Sequence, residues 1–343
     1  MTLWQRQKAG NSSQNIQAQI ANFGVNYADA RQIAMDVFKQ NFAQLSQEAM
    51  KVAIWRVEEF TLEYLRVLHR RDPLAINHLQ EPGVQYALLS GQSNYARSGD
   101  PYIGEVLIDL LAERTAMPQR GTVQLALEEA IMASGRISRD HIKMLSILTL
   151  RDRLPKSAAI DFKIFFKHFM DGAAALLDGI HFSAADSRYL AATGCVSLGH
   201  LEDDMLETWK QAYPLFFIKG SDNFPEKSLS LSYRRFEKYL ILGQVREYMR
   251  HFIPDRPQGF GDRLDEIGSE EEFSTLYRLH SMGVDEVHDV AVGLDSRYED
   301  LASKLGEAFP FGVELTTVGI AIGISNLKAT VEGDFLDYDN LLI

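Results

Sequence analysis

The sequence has one cysteine and no long apolar run, and each of these features excludes certain classes of protein. Cys195 is the only cysteine in 343 residues, so neither an intramolecular disulfide nor a zinc site built from several thiolates is expected. No apolar run reaches the roughly 18 residues that indicate a membrane-spanning helix, so we expect no membrane contact. The polar residues after position 8 do not form the apolar segment of a secretory signal. We therefore expect a reducing compartment, the cytoplasm.

Basic residues are scarce relative to acidic ones. The chain has 35 Lys and Arg against 47 Asp and Glu, a formal net charge of −12. Because phosphate contacts need a basic surface, nucleic-acid binding is not expected for the chain as a whole. The exception is a predicted basic helix over residues 232–250, which contains Arg234, Arg235, Lys238, Arg246 and Arg250. An ordinary helix with aromatic packing on one side and solvated cations on the other explains this pattern. The alternatives are a nucleic-acid contact and a surface that docks onto acidic residues 262–300 of a neighbouring subunit.

Proline is absent before Pro73, and 46% of the residues are apolar. Such a composition is typical of a folded globular protein, and a proline-free stretch permits long helices. We predict a mainly α-helical fold. It consists of a multi-helix bundle body, a Gln/Asn-rich N-terminal β-arm or tail, and a small α(+β) C-terminal region.

Residues 1–25 form a polar arm that cannot support a hydrophobic core. Polar and apolar residues alternate from Asn15 to Ile20, with the period of a strand. One interpretation is a disordered tail. The other is a β-arm that pairs with a second copy, since an isolated strand satisfies its backbone only by pairing. The candidate self-association residues in this arm are Asn11, Asn15, Ile16 and Gln17.

Residues 26–72 predict either one long helix or a helix pair. Phe38, Phe42, Leu45, Ala49 and Val52 follow one another at spacings of four and three, which is a heptad pattern. A continuous helix over 28–70 is a rod of roughly 65 Å, and it requires a partner. We therefore expect an intersubunit coiled coil through Phe38, Phe42, Leu45 and Val52, or a break near Ser46 that gives a helix pair inside one subunit.

Residues 73–253 predict a helical body with several ordinary helices. The helix over 84–97 ends at a Gly99-Asp100-Pro101 stop signal. Ser138 is in position to cap the helix that follows it. An aromatic-rich helix begins at Phe162.

Residues 254–343 form an acidic C-terminal region. Between positions 255 and 310 there are fourteen carboxylates and only five Lys or Arg. We predict one helix over 284–309 and then a short strand. Residues 318–324 are either a buried strand or a tightly packed helix. Thr316 or Thr317 as N-cap and the pair Gly319 and Gly323 favour the helix.

Candidate chemistry is sparse. No phosphate-binding loop or nucleophile elbow is present, and no cofactor is expected. Cys195 and His200 are close in sequence, but a buried structural cysteine is the usual case. Two polar clusters are candidate metal ligands for a hydrolase or nuclease, although a solvated acidic face explains both. They are His200, Asp203, Asp204 and Glu207, and Asp285, His288 and Asp289.

Several segments resemble an uncharacterised, mainly helical bacterial family that is loosely associated with anti-phage defence. The first is a Gly-Asn-Ser-x-x-Asn-Ile-Gln motif that starts at Gly10. The others are residues 27–38, 95–100 and 315–320. The resemblance implies a bacterial or phage origin and a role in defence, and it transfers no site residue.

Taken together, these patterns predict a homo-oligomeric assembly protein that acts as a sensor or effector partner, with another protein as a possible binding partner. The alternative is a metal-dependent hydrolase or nuclease. The arm and the heptad pattern favour assembly, and the sequence leans against an enzyme.

Overall fold

The computed structural model describes most of the chain. The described residues are 26–41, 46–117, 121–153, 162–199, 205–212, 217, 282–310, 312–330 and 338. Within these ranges lie twelve α-helices, one 3₁₀ helix and two short strands, which confirms the prediction of a mainly α-helical fold.

The first half of the described fold is a run of helices. They are α1 Tyr27–Asn41, α2 Gln47–Arg71, the 3₁₀ helix Ala75–Gln80, α3 Pro82–Ser98, α4 Pro101–Ala116, α5 Thr122–Ser134, α6 Arg139–Arg153, α7 Phe162–Leu177 and α8 Ala184–Ala192. The second half adds β1 Val196–Leu198, α9 Met205–Ala212, α10 Val284–Leu294, α11 Arg297–Ala308, β2 Val313–Leu315 and α12 Thr317–Thr330.

The N-terminal helices form a pair and not a continuous rod. Ser46 has an extended backbone (φ −61°, ψ 158°) and its side chain accepts a hydrogen bond from the backbone N–H of Ala49. A serine in this conformation begins a new helix and cannot lie inside one. The helix pair inside one subunit is therefore the alternative that the structure shows, with α1 packed on α2 and α3.

The turn between α3 and α4 matches the predicted stop signal. Gly99 takes a left-handed backbone with φ +59°, which glycine adopts without strain. A Cβ at this position would also overlap the guanidinium of Arg56, which donates to the carbonyl of Ala96 at 2.8 Å. Asp100 then caps α4 by accepting from the N–H of Tyr102 at 3.0 Å. Further along, the predicted cap at Ser138 is present, since its hydroxyl accepts from the N–H of His141 at 3.3 Å.

The prediction of one helix over 284–309 is wrong. Asp295 has an extended backbone (φ −153°, ψ 110°) at the end of α10, and its carboxylate accepts from the N–H of Arg297 at 3.0 Å. An Asp side chain competes in this way with helical backbone bonds, because it offers the next turn an alternative acceptor. The chain therefore breaks into α10 and α11.

The last helix, α12, packs in the centre of the helical body against α4, α5 and α6. The helical alternative for 318–324 is confirmed. A Cβ on Gly323 would lie 2.8 Å from the carbonyl oxygen of Leu145 and closer still to the Thr149 hydroxyl, and one on Gly319 would overlap the carbonyl oxygen of Cys195. These glycines let α12 approach its neighbours closely, so the C-terminal helix shares its core with the body and does not form a separate unit.

The two strands fasten the start of α12 to the middle of the chain. β1 and β2 pair antiparallel, with Val196 opposite Leu315 and Leu198 opposite Val313. No strand was predicted from the sequence at β1. The hydroxyl of Thr316 accepts from the N–H of Gly319 at 3.2 Å, which confirms the predicted cap.

Candidate self-association surface

The solvent-facing side of α2 carries three large apolar side chains. Trp55 is 64% exposed, Val52 is 48% exposed and Leu62 is 36% exposed. They lie at positions i, i+3 and i+10 of the helix, which places them on one face. Glu59 lies between them in the same row. This row of residues, Val52, Trp55, Glu59 and Leu62, is called the outer stripe below.

The outer stripe faces solvent because neighbouring helices pack on a second apolar face, on the opposite side of α2. That inner face is buried against α1, α3 and α4. Its buried members are Ala53, Val57, Phe60, Thr61, Tyr64, Leu65 and Leu68. With these three helices packed on the inner face, the outer stripe is left without cover from the described part of its own subunit.

A groove of about 390 Å³ opens beside the outer stripe, between α2 and α4. Phe60 and Tyr95 stack at its base with ring centroids 5.3 Å apart. Gly104 makes room for the Tyr95 ring, since a Cβ there would lie 2.7 Å from the ring. The groove is lined by Glu59, Phe60, Leu62, Glu63, Arg66, Tyr95, Pro101, Gly104, Glu105 and Ile108.

The groove is apolar at its base and acidic at its edge. Glu59 and Glu63 on α2 and Glu105 on α4 supply the carboxylates, and Arg66 forms an ion pair with Glu63. The pKa of Tyr95 is raised, first by burial and then by the charge of Glu59. The arrangement suits an apolar or aromatic group that also offers a hydrogen-bond donor, because the carboxylates can only accept.

The predicted self-association residues fall into three groups. Phe38 is fully buried in its own subunit, in a cluster with Met35, Ala53, Val57 and Ala96. Val52 is exposed in the outer stripe. The remaining predictions lie outside the described residues, and they are Asn11, Asn15, Ile16, Gln17, Phe42 and Leu45. The heptad pattern therefore divides between an internal contact at Phe38 and an exposed surface at Val52.

Sequence reasoning did not single out Trp55 and Leu62 as surface residues. A signal was present, because Val52, Trp55, Glu59, Leu62 and Arg66 follow one another at spacings of three and four. The inner face of α2 has the same spacing, so the sequence contains two parallel stripes. Nothing in the periodicity says which of them faces solvent.

The metal-site candidates are only partly described. His200, Asp203 and Asp204 lie outside the described residues, whereas Glu207, Asp285 and Asp289 are exposed. α9 and α10 are in contact, so Glu207 lies on a helix that neighbours the helix of Asp285 and Asp289. Among the residues that the structure describes, no group of three or more His, Cys, Asp or Glu side chains could hold a metal ion. The partly buried His288 ring instead packs edge-on against Tyr298, with centroids 5.8 Å apart.

Cys195 is buried and directly precedes β1. Burial raises the pKa of its thiol, and the hydroxyl of Thr193 donates to the sulfur at 3.5 Å. A thiol of this kind is a weak nucleophile, because the thiolate is the reactive form. His200, the proposed partner, lies outside the described residues.

Ser183, Asp186 and His141 form a polar trio that the sequence did not indicate. Ser183 Oγ donates to Asp186 Oδ2 at 2.6 Å, and His141 Nε2 lies 3.2 Å from Asp186 Oδ1. Nδ1 of His141 accepts from the N–H of Ser138 at 3.0 Å. In a hydrolytic triad the histidine lies between the serine and the acid, whereas here the acid lies between the other two. The trio therefore caps α8 and ties it to α6.

A second cavity of about 260 Å³ lies between α6, α9 and α11, and Arg151 and Tyr298 line it. The guanidinium of Arg151 donates to the carboxylate of Asp152 at 2.6 Å and to the carbonyl of Val313 at 3.0 Å. Trp209 in turn donates to the carbonyl of Arg151 at 3.0 Å. Arg151 thus joins three elements, which is a structural role.

The predicted basic helix 232–250 lies outside the described residues. Of the helices that the structure does describe, none combines the length and the apolar character needed to cross a bilayer.

Comparison with known proteins identifies the family of this chain. Residues 24–342 match one family model, and its description (":-like") states no activity, ligand or partner. Comparisons with the curated proteins and with the solved structures give no match. Because the model covers nearly the whole chain, this protein belongs to that uncharacterised family.

Proposed function

We propose that this protein is an assembly protein that forms a two-fold homodimer through the outer stripe of α2. The observation that carries the proposal is the exposure of Trp55, at 64%, on the same helix face as Val52 and Leu62. Tryptophan is enriched among the residues that supply most of the binding energy of interfaces. A row of exposed apolar side chains on one face is also typical of an interaction surface.

The charges along α2 favour an antiparallel pair with a second copy. In an antiparallel pair with the two-fold axis at the height of Val57, Val52 lies opposite Leu62 of the second copy. Trp55 then lies opposite Glu59, and Glu48 lies opposite Arg66. Glu48 and Arg66 are both exposed, so opposite charges meet across this contact, whereas a parallel pair would oppose each residue to its own copy. The same patch thus complements itself, as a two-fold interface requires.

The N-terminal arm is a second element of the proposed assembly. Its alternating residues, Asn15 to Ile20, suit pairing with the arm of another copy. In this arrangement the α2 contact forms the dimer, and the arm strengthens it. A chain that lacks residues 1–25 is therefore still expected to form a dimer, but with a larger dissociation constant than the full chain.

The proposal is tested by the mass of the full chain in solution. Sedimentation or light scattering at micromolar concentration is expected to give twice the 38.7 kDa of one chain. Trp55→Ala weakens the dimer about tenfold or more, because an interface tryptophan typically contributes about 2 kcal/mol. Tyr86→Ala is the matched control, since Tyr86 is 66% exposed but lies on α3. A wild-type chain that stays monomeric at these concentrations overturns the proposal.

Cysteine pairing tests the antiparallel register. A mixture of Val52→Cys and Leu62→Cys chains is expected to form mixed disulfide dimers under mild oxidation. Val52→Cys alone is the control, because residues 52 of the two copies are then separated by about 15 Å along the helices, too far for a disulfide. Native Cys195 is buried and does not interfere. Equal cross-linking in the control would contradict this register.

We place this assembly in the cytoplasm of a bacterial host, as a sensor or effector partner in anti-phage defence. The single cysteine supports a reducing compartment, and the sequence resemblance supports the defence role. The plating efficiency of phages on cells that express the wild-type or the Trp55→Ala chain is the test. Protection by the wild type and its loss in the variant are expected, and equal plating on expressing and empty cells would contradict the role.

A further inference from the structure

The groove between α2 and α4 has the shape and chemistry of a receptor for an indole side chain. Its volume of about 390 Å³ is within the range of small-molecule pockets. Its base is formed by Phe60, Tyr95 and Ile108, and its edge by three carboxylates. An indole offers a large apolar surface and one N–H donor, so its ring matches the base and its N–H matches the edge.

We infer that Trp55 of each copy inserts into the α2–α4 groove of the other copy, next to Glu59; this inference rests on the homodimer proposed above. In the antiparallel register, Trp55 lies opposite Glu59 of the second copy. Glu59 belongs both to the outer stripe and to the lining of the groove. The indole that reaches it is therefore at the entrance of the groove.

The charge of the groove selects this occupant over an acidic one. Glu59, Glu63 and Glu105 face the groove, and Arg66 is the one basic side chain among its described lining residues, so the site repels carboxylates and accepts N–H donors. The two-fold relation fills both grooves at once, because each copy supplies one Trp55 and one groove. The contact also brings α4 into the interface, and the α4 residues can be altered without touching α2.

Glu105 on α4 permits a test that separates this inference from the dimer itself. Glu105→Arg places a longer side chain at the groove and removes one acceptor. Glu129→Arg is the matched control, since Glu129 is also exposed but lies on α5. Glu105→Arg is expected to raise the dissociation constant at least tenfold, with the control unchanged. Circular dichroism establishes that both variants remain helical.

The environment of Trp55 is the second readout. The Trp55 signal is the difference in fluorescence between the wild type and Trp55→Phe. Its quenching by iodide is measured at protein concentrations above and below the dissociation constant of the dimer. We expect at least threefold less quenching in the dimer than in the monomer, and restored quenching in any Glu105→Arg dimer.

The outcomes are distinguishable. A stable wild-type dimer in which Trp55 is quenched as readily as in the monomer overturns the inference but leaves the dimer in place. A Glu105→Arg dimer of unchanged affinity does the same. A wild-type monomer overturns both the inference and the proposed function.

Discussion

The hydroxyl of Tyr338 donates a hydrogen bond of 2.5 Å to Asp109 Oδ2. Arg71 from α2 binds the other oxygen of the same carboxylate, and the ammonium of Lys328 lies 4.0 Å from the centre of the Tyr338 ring. Tyr338 is fully buried, and burial and the charge of Asp109 raise its pKa well above the usual value. A residue near the C-terminus thus joins α4 and α2 through one carboxylate and contacts α12 through its ring.

Tyr338→Phe is expected to lower the free energy of unfolding by about 1–3 kcal/mol, because a buried carboxylate oxygen loses its donor. Urea unfolding followed by circular dichroism measures the change. Tyr86→Phe is the control, since Tyr86 is largely exposed. Equal unfolding midpoints for the two variants would contradict the role of the hydroxyl.

Gly323→Ala is expected to destabilise the fold by about 1–3 kcal/mol, since the new Cβ meets the backbone of Leu145 and the Thr149 side chain. Gly306→Ala on α11 is the opposite case, because in the described part of the chain no atom beyond its own helix lies within 4 Å of a Cβ there. Alanine restricts the unfolded chain more than glycine does, so Gly306→Ala stabilises by up to about 1 kcal/mol. In thermal unfolding, the midpoint is expected to fall for Gly323→Ala and to rise for Gly306→Ala. A shift in the same direction for both variants would contradict the close packing of α12.

Glu128→Ala is expected to lower the free energy of unfolding by about 2–4 kcal/mol. This is the lower end of the range for breaking a buried ion pair, because Glu128 is partly exposed. Arg114 donates to this carboxylate at 2.6 Å, and its Nη1 atom has no partner in the described structure. Loss of Glu128 therefore leaves a buried cation uncompensated. The double variant Arg114→Met/Glu128→Leu removes both charges, and denaturant titration is expected to find it more stable than Glu128→Ala. The reverse order would contradict the uncompensated charge of Arg114 as the cause of the loss.

Asp186 contributes an acid-dependent part of the stability. Hydrogen bonds from Ser183, and then the contact with His141, lower the pKa of Asp186 below its ordinary value of 3.8. A carboxylate with a lowered pKa stabilises the fold above pH 3.8, and this contribution is lost as the pH falls through the folded-state pKa. Urea midpoints measured from pH 5 down to pH 2 are expected to fall less steeply in Asp186→Asn than in the wild type. Identical slopes would remove Asp186 as a cause of acid unfolding.

Local signals predicted much of the secondary structure. The Gly99-Asp100-Pro101 stop, the Ser138 cap and the helix over 318–324 depend on residues within one or two turns, and all three are present. The prediction over 284–309 was wrong because the apolar spacing runs through Asp295 without interruption. The hydrogen bond from the N–H of Arg297 to the Asp295 side chain breaks the helix there. The spacing of apolar residues does not reveal such a bond.

The candidate surface was only half predictable. Val52 was identified, but the heptad that pointed to it also included Phe38, which is buried within its own subunit. The groove beside the outer stripe combines residues of α2, α3 and α4 that are up to about fifty positions apart in the sequence. No local pattern brings Glu59 and Glu105 together.

The sequence by itself determined that α2 is a helix with two apolar stripes, since spacing at three and four residues is a property of the chain alone. Only the tertiary structure decided which stripe is buried. The face with Phe60, Tyr64 and Leu68 meets α3 and α4, and Trp55 is left in solvent. The reason is physical: burial depends on which distant helices fill the neighbouring space, and the spacing along one helix carries no information about them.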